Sequence, residues 1–202
     1  MTVKPPCVLL AGGQSRRMGG EDKFLKPFGD STLLGHIVSR LEPQVSDIMI
    51  NANRPLKDVP YPVEKDIVDG QRGPLAGILT GLTYFSQKDT DATHLLCFPC
   101  DIPFVPLDLV QKLQDKLGAG PHSIAMAYSG NRIHPVISLW PFALLDQLRE
   151  ALVVEDLRKI LVFAERYQLT SAKWTGGDED PFFNVNTPGD LLLAKARLQD
   201  EG

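Results

Sequence analysis

The chain has 202 residues, with 21 Lys or Arg against 25 Asp or Glu and a net charge of −4. That length suits one domain, 1–202, with a sizeable core, and the negative balance excludes a general attraction to nucleic-acid backbones. No run of eighteen apolar residues predicts a membrane span, and Met1-Thr2-Val3-Lys4-Pro5-Pro6 lacks a secretion-signal core, so a cytoplasmic protein with no membrane or nucleic-acid partner is expected.

Cys7-Val8-Leu9-Leu10, bounded by Pro5-Pro6 and by glycines, reads as a buried strand. It runs into Ala11-Gly12-Gly13-Gln14-Ser15-Arg16-Arg17-Met18-Gly19-Gly20-Glu21-Asp22-Lys23. The double glycine lets the backbone turn sharply and approach a ligand. Successive N–H groups in such a turn form an anion-binding concavity, to which Arg16, Arg17 and Lys23 add positive charge. The simplest ligand is a nucleoside triphosphate. The stretch has neither the Gly-Lys of a Walker loop nor the G-x-G-x-x-G spacing of a dinucleotide site.

Phe24 to Asp30 reads as a loop, after which Leu33, Leu34, Ile37, Val38 and Leu41 recur at helical spacing behind an Asp30 or Ser31 cap. Asp47 to Asn51 is a second buried strand, so strand–helix–strand starts a parallel sheet. Ligands of such sheets lie outside the carboxyl ends of the strands, which places Asn51 beside the glycine loop. Asn51 and Asn53 also suit a turn that satisfies its own backbone. Tyr61-Pro62-Val63 is a short strand candidate, followed by a loop with Asp66 and Asp69. Gly73-Pro74-Leu75-Ala76-Gly77 opens a helix with Pro74 in its first turn. Gly77 costs such a helix about 1 kcal/mol against Ala, which suggests close packing or close approach of a ligand.

His94 to Pro99 is the next strand, ending at Cys100-Asp101. A carboxylate there is well placed to hold Mg²⁺ against phosphates, because that ion takes one or two carboxylates and fills its shell with phosphate oxygens and water. Capping the helix expected from about Pro106 to Leu117 is the other role open to Asp101, but it lies several residues early. Cys97 and Cys100 form a C-x-x-C pair, read here as small buried hydrophobes and not as a dithiol or a half zinc site. Ser123–Tyr128 and Pro135–Leu139 are strands joined by residues 129–134, whose Gly-Asn suggests a hairpin and an antiparallel element. Helices are expected over 142–152 and 155–164, the second carrying Arg158 and Lys159, then an edge strand over 167–174 and a loop over 175–180. Phe182–Val185 reads as a short strand that puts Asn184 and Asn186 on one face. Thr187-Pro188-Gly189-Asp190 starts the last helix.

The string L-A-G-G-x-S-x-R-M-G-x-x-D-K resembles the signature loop of nucleotidyltransferases with the nucleotide-diphosphosugar transferase fold. Its Gly-Gly form resembles the molybdenum cofactor guanylyltransferases, the MobA family. Asn51-Ala52-Asn53-Arg54, Gly73-Pro74-Leu75-Ala76-Gly77, Pro99-Cys100-Asp101, His134-Pro135 and Phe183-Asn184-Val185-Asn186-Thr187-Pro188 agree in order, so the resemblance runs from residue 10 to residue 190. It implies a three-layer α/β/α sandwich, with a Rossmann-like, mostly parallel sheet and one antiparallel element. The implied reaction moves GMP from GTP to the terminal phosphate of molybdopterin, with or without molybdenum, releasing pyrophosphate with Mg²⁺ as cofactor.

The resemblance further implies catalytic roles for Arg17, Lys23 and Asp101, with Asp101 the metal ligand. Leu10, Ala11, Gly12, Gly13, Lys23, Asn51, Asp66 and Asp101 would bind GTP. Asp66 is preferred to Asp69 because the family's acidic residue lies seven positions before the Gly-Pro-Leu-Ala-Gly string. Arg132, His134, Asn184 and Asn186 would bind molybdopterin. Implied protein partners are other cofactor-biosynthesis proteins and the recipient molybdoenzymes or their chaperones. Two other readings stay open: transfer from another nucleotide (CTP to the same acceptor, or a nucleotide to a sugar phosphate), and a non-catalytic carrier of nucleotide or cofactor.

Overall fold

The structure is a computed structural model that describes residues 3–11, 23–70, 72–175 and 180–200. In chain order its elements are β1 (Cys7–Leu10), β2 (Pro27–Phe28), β3 (Ser31–Thr32), α1 (Leu33–Leu41), β4 (Ile48–Asn51), β5 (Val63–Glu64) and α2 (Pro74–Ser86). Then come β6 (His94–Pro99), α3 (Leu109–Gln114), β7 (Ser123–Ser129), β8 (Arg132–Pro141), α4 (Leu145–Val153), α5 (Ile160–Ala164), β9 (Gln168–Lys173) and α6 (Pro188–Asp200). Single 3-10 turns occur at Lys23–Leu25 and Phe142–Leu144.

Seven strands form one sheet in the order β5-β4-β1-β6-β8-β7-β9. β1 pairs in parallel with β4 and β6, β4 with β5, and β7 with β9, whereas β8 is antiparallel to both β6 and β7. The sheet is therefore parallel but for β8, as expected. Strand order turns outward on both sides of β1, so the crevice between β1 and β6 is the topological switch point where such sheets take ligands. Because β8 runs backwards, it begins at the edge where the other strands end. Arg132 and His134 thus share an edge with Leu10, Asn51 and Asp101.

Period-two alternation divides the strands between two cores. Cys7, Leu9, Ile48, Ile50, Leu96, Phe98, Ala125 and Ala127 face a cluster closed by Leu33, Ile37, Phe104 and Phe182. Val8, Met49, Leu95, Cys97, Ile124 and Met126 face the other, with Leu75, Leu79, Trp140, Leu148 and Phe163. Apolar side chains on both faces give the near-continuous hydrophobic runs seen in the sequence. Cys97 and Cys100 belong to opposite clusters, and all three cysteines are buried with none in a disulfide, which bears out the reading of Cys97 and Cys100 as packing residues.

Four local expectations need correction. The α1 cap is Thr32, whose hydroxyl accepts from Gly35 N at 3.0 Å; Ser31 is instead used opposite Phe28 in a two-strand ribbon. The 129–134 connection shrinks to the two residues Gly130 and Asn131, at φ 53° and 59°, a pair of positive values that defines a tight primed hairpin turn. His134 is consequently a strand residue. The helix expected from Glu155 starts only at Ile160, because Asp156 adopts a φ of 51° and its carboxylate is engaged by Arg72 and Arg158. Residues 182–185 form no strand; a backbone bond from Val185 N to Asp101 O, 2.8 Å, ties them to the sheet edge. The last helix begins as read, with Asp190 N donating to Thr187 Oγ1 and the Asp190 carboxylate accepting from the N–H groups of Asn186 and Thr187.

Candidate active site

The carboxyl edge is assembled first around β1. Ala11 N donates to Asn51 O at 2.9 Å and Cys100 N to Leu10 O at 3.1 Å, so the ends of β1, β4 and β6 are laced together. Leu10, Ala11, Asn51 and Asp101 therefore converge. Gly12, Gly13 and Arg17 lie outside the described residues, as do Arg16 and the side chain of Lys23.

On one flank a pair of asparagines holds a carboxylate. Asn51 Nδ2 donates to Asp66 Oδ1 at 3.0 Å and to Glu64 O at 3.2 Å. Asn53 closes a ring with the same residue: its Nδ2 reaches Asp66 Oδ2 at 2.7 Å, and its Oδ1 accepts from Asp66 N at 2.8 Å. Ionised carboxylates make stronger hydrogen bonds than neutral acceptors, so this clamp fixes the Asp66 side chain in place. Each oxygen keeps a lone pair for a further donor. Asp69 is elsewhere, its carbonyl accepting from Arg72 Nε.

Helix α2 backs this flank with a small-residue face. A Cβ on Gly77 would stand 2.5 Å from Asn51 Oδ1 and 2.6 Å from Leu10 Cδ2, closer than real contacts allow. The helix-propensity cost of Gly77 is thus the cost of bringing α2 against two residues of the edge. Thr80 Oγ1 accepts from Ile67 N at 3.2 Å, which steadies the backbone after Asp66. The start of α2 is moored through Arg72, which donates to Leu152 O and pairs with Asp156 at 2.9 Å.

The opposite flank is built from the β7–β8 hairpin and residues 180–186. The β6–β8 ladder stops at Cys97↔Ser138, and β8 bulges so that Met126 pairs with Ser138 while the next β7 residue, Ala127, pairs with His134. This bends the start of β8 away from β6. His134 is buried, 5.0 Å from the Phe182 ring and with Nε2 2.8 Å from Ser129 Oγ. Ser129 Oγ donates to Asp180 Oδ1 at 2.6 Å, and Arg132 Nη2 lies 3.7 Å from Asp180 Oδ2. Burial, then the Arg132 guanidinium, holds the His134 imidazole below its ordinary pKa. Burial pushes the Asp180 carboxyl up, but the Ser129 and Phe182 hydrogen bonds and the nearby positive charge outweigh it and leave it below the usual carboxylate range. Asn184 Oδ1 is buried with no hydrogen-bond partner among the described residues, whereas Asn186 is exposed; the two do not share a strand face.

The structure thus brings Leu10, Ala11, Asn51, Asp66 and Asp101 together and puts Arg132, His134 and Asn184 along the same edge. Ser129 and Asp180 escaped the sequence reading, as did the clamping role of Asn53. Ser129 opened the connection expected between two strands, and Asp180 closed a stretch with loop composition. Neither carried a local signal.

A sheet with this strand order, a carboxylate at the end of β6 and a glycine- and arginine-rich sequence directly after β1 are the marks of an α/β nucleotidyltransferase. The family described as the MobA-like NTP transferase domain matches residues 7–169, and the chain belongs to it. It is 44% identical over 200 residues to the molybdenum cofactor guanylyltransferase of Rhodopseudomonas palustris strain HaA2, covering 98% of this chain and 94% of that one. To the enzyme of the same name from Bradyrhizobium sp. strain ORS 278 it is 43% identical over 204 residues, covering 98% and 96%. Among solved structures, molybdopterin-guanine dinucleotide biosynthesis protein A from Archaeoglobus fulgidus superposes with a TM-score of 0.73 at 20% identity, covering 96% of this chain and 99% of that one. A cytidylyltransferase from Leptospira borgpetersenii gives 0.71 at 14% identity, covering 99% and 87%. These last two likenesses establish the fold alone. Among the described residues no helix is long and apolar enough to cross a membrane.

Proposed function

We propose that this nucleotidyltransferase moves GMP from GTP to the terminal phosphate of molybdopterin, releasing pyrophosphate, with residues 1–202 acting as one cytoplasmic domain. The observation that carries the reading is the layout of the edge: a fixed carboxylate, Asp66, on one side of Asp101, and a basic and amide-bearing flank on the other. Identity of 44% over 200 residues to a protein named for this activity supports it.

The chemistry needs no protein nucleophile. An oxygen of the acceptor phosphate attacks the α-phosphorus, a new P–O bond forms, and the bond to the bridging oxygen of the β-phosphate breaks as pyrophosphate leaves. The protein contributes position and charge. Leu10 and Asn51 border the nucleoside, and Asp66, held by its two amides, accepts from N–H groups of the base. Gly12 and Gly13 offer backbone donors, while Arg17 and Lys23 neutralise the triphosphate. On the far side Arg132 meets the acceptor phosphate, and His134, Asn184 and Asn186 meet the pterin. His134 is not the base, since a phosphate monoester already carries the attacking charge.

A Mg²⁺ ion suits this donor set. Among the described residues no group of three His, Cys, Asp or Glu side chains could cage a metal. Mg²⁺ needs no cage; it accepts one carboxylate and completes its shell with phosphate oxygens and water. Asp66 is turned toward its two asparagine amides on the nucleoside side, and Asp101, at the end of β6, is the residue that would hold the ion. Bound there, the ion would neutralise charge on the triphosphate.

The test is pyrophosphate release with molybdopterin as acceptor and GTP, CTP or UTP as donor. Release with GTP alone, lost on chelation and restored by Mg²⁺, is expected. Release with CTP but not GTP would overturn the base assignment. GTP binding with no release from any nucleotide would make the protein a carrier.

A further inference from the structure

The link between Ser129, His134 and Asp180 has a fixed polarity. Ser129 is 2% exposed, and its hydroxyl has one proton and two partners, Asp180 Oδ1 at 2.6 Å and His134 Nε2 at 2.8 Å. An ionised carboxylate can only accept, so the proton goes to Asp180 and His134 donates its Nε2–H to Ser129. The neutral ring is thereby set as one tautomer, with its lone pair on Nδ1.

Asp180 does more than close this relay. Its Oδ1 also accepts from Phe182 N at 2.9 Å, and its carbonyl accepts from Arg197 Nη1 at 3.1 Å. Phe182, fully buried, then wedges its ring 5.0 Å from His134 and 5.2 Å from Trp174. Three residues on, Val185 N is bound to Asp101 O at 2.8 Å. The segment is thus clasped at both ends, to the hairpin by Asp180 and to the end of β6 by Val185. Between the clasps lies Asn184, whose buried Oδ1 has no partner among the described residues. Native proteins rarely leave such an oxygen unsatisfied, so it calls for a donor from outside the described protein atoms.

We propose that Asp180 is a positioning residue for the acceptor: through Ser129, His134 and Phe182 it fixes residues 180–185 so that the Asn184 amide meets an N–H of the bound acceptor. The inference rests on the reading of that acceptor as molybdopterin, whose ring carries such donors. Because the orphaned atom is an acceptor, it takes the ring and not the phosphate. The phosphate end is left for Arg132 and the α-phosphorus.

The experiment is steady-state pyrophosphate release by the full-length protein, varying molybdopterin at saturating GTP and GTP at saturating molybdopterin. Asp180→Ala is expected to raise KM for the acceptor about tenfold or more and to leave KM for GTP within about twofold. Asp180→Asn keeps an oxygen for Ser129 and Phe182 and should recover most of the loss; Ser129→Ala should lie between. Equal rises in both KM values, or no rescue by Asp180→Asn, would overturn the proposal. If Asp180→Ala does not fold, Ser129→Ala against Asp180→Asn carries the same comparison. Imidazole ¹⁵N spectra give a readout that needs no acceptor. His134 should show a neutral Nε2–H ring whose signals move in Ser129→Ala and Asp180→Ala, and an Nδ1–H ring or unmoved signals would overturn the relay. Inactive wild type with an intact relay would sink the molybdopterin reading, and with it the acceptor role of Asp180, while leaving the relay itself standing.

Discussion

The two flanks of the edge are held by bonds of different reach. On the flank proposed for the nucleotide, Asn51, Asn53 and Asp66 lie within fifteen residues of one another and lock together just past two adjacent parallel strands. On the flank proposed for the acceptor the controlling bond joins Ser129 to Asp180, fifty-one residues apart, and the segment so held has no ladder of its own. The first flank is built before any ligand arrives, with every carboxylate oxygen engaged. The second is clasped at its ends and keeps a buried amide oxygen open between them. A short-range clamp suits a base that is read the same way each time, and a spanned segment suits a larger acceptor that must be turned toward the α-phosphorus.

The comparison breaks most visibly where the flanks meet. Asp101→Ala is expected to lower transfer at least about a hundredfold, as loss of a charge-stabilising group does, while thermal unfolding stays close to wild type. Retained Mg²⁺-dependent activity in a folded Asp101→Ala protein would remove the residue from its role. Gly77→Ala tests whether the nucleotide flank is a packed unit. The new methyl meets Asn51 and Leu10 at 2.5 and 2.6 Å, so it should cost about 1–3 kcal/mol by thermal or denaturant unfolding and raise KM for GTP but not for the acceptor. Asn53→Ala leaves Asp66 with Asn51 alone. Its clamp is exposed, so the expected effect is smaller: a several-fold rise in KM for GTP, on the order of 1 kcal/mol, with kcat little changed.

The smallest effect is on pH dependence. His134 is held below the ordinary imidazole value by burial and Arg132, and His94 by burial against the pull of the Ser123 carbonyl. The unfolded chain therefore binds more protons than the folded one just below about pH 6.5, and stability falls as pH drops from there through the folded-state values. His134→Gln should make that loss shallower in thermal unfolding followed from about pH 7 to about pH 5. An unchanged slope would mean that His134 titrates as it does in the unfolded chain.

The same difference in reach governs what could be read from the sequence. Cys7–Leu10, Asn51, Gly77 and Asp101 were legible because strand, helix and edge positions follow from apolar runs and their ends. Thr187 and Asp190 were legible as a helix start because capping is local. The Asp66 clamp was half legible: the carboxylate could be counted back from Gly73, but its hold on Asn53 could not. The Ser129–Asp180 bond left no trace, since loop composition around residue 180 says only that the chain turns. The strand expected at Phe182–Val185 failed for a related reason. Its apolar residues are buried as single anchors, Phe182 and Val185, and not as one face of a ladder.

The most direct test of two separately built flanks is calorimetric titration of GTP and of molybdopterin into Asp66→Ala and Asp180→Ala proteins. Asp66→Ala is expected to weaken GTP binding about tenfold and leave molybdopterin binding unchanged, with the reverse for Asp180→Ala. Loss of both ligands together in either variant would contradict it.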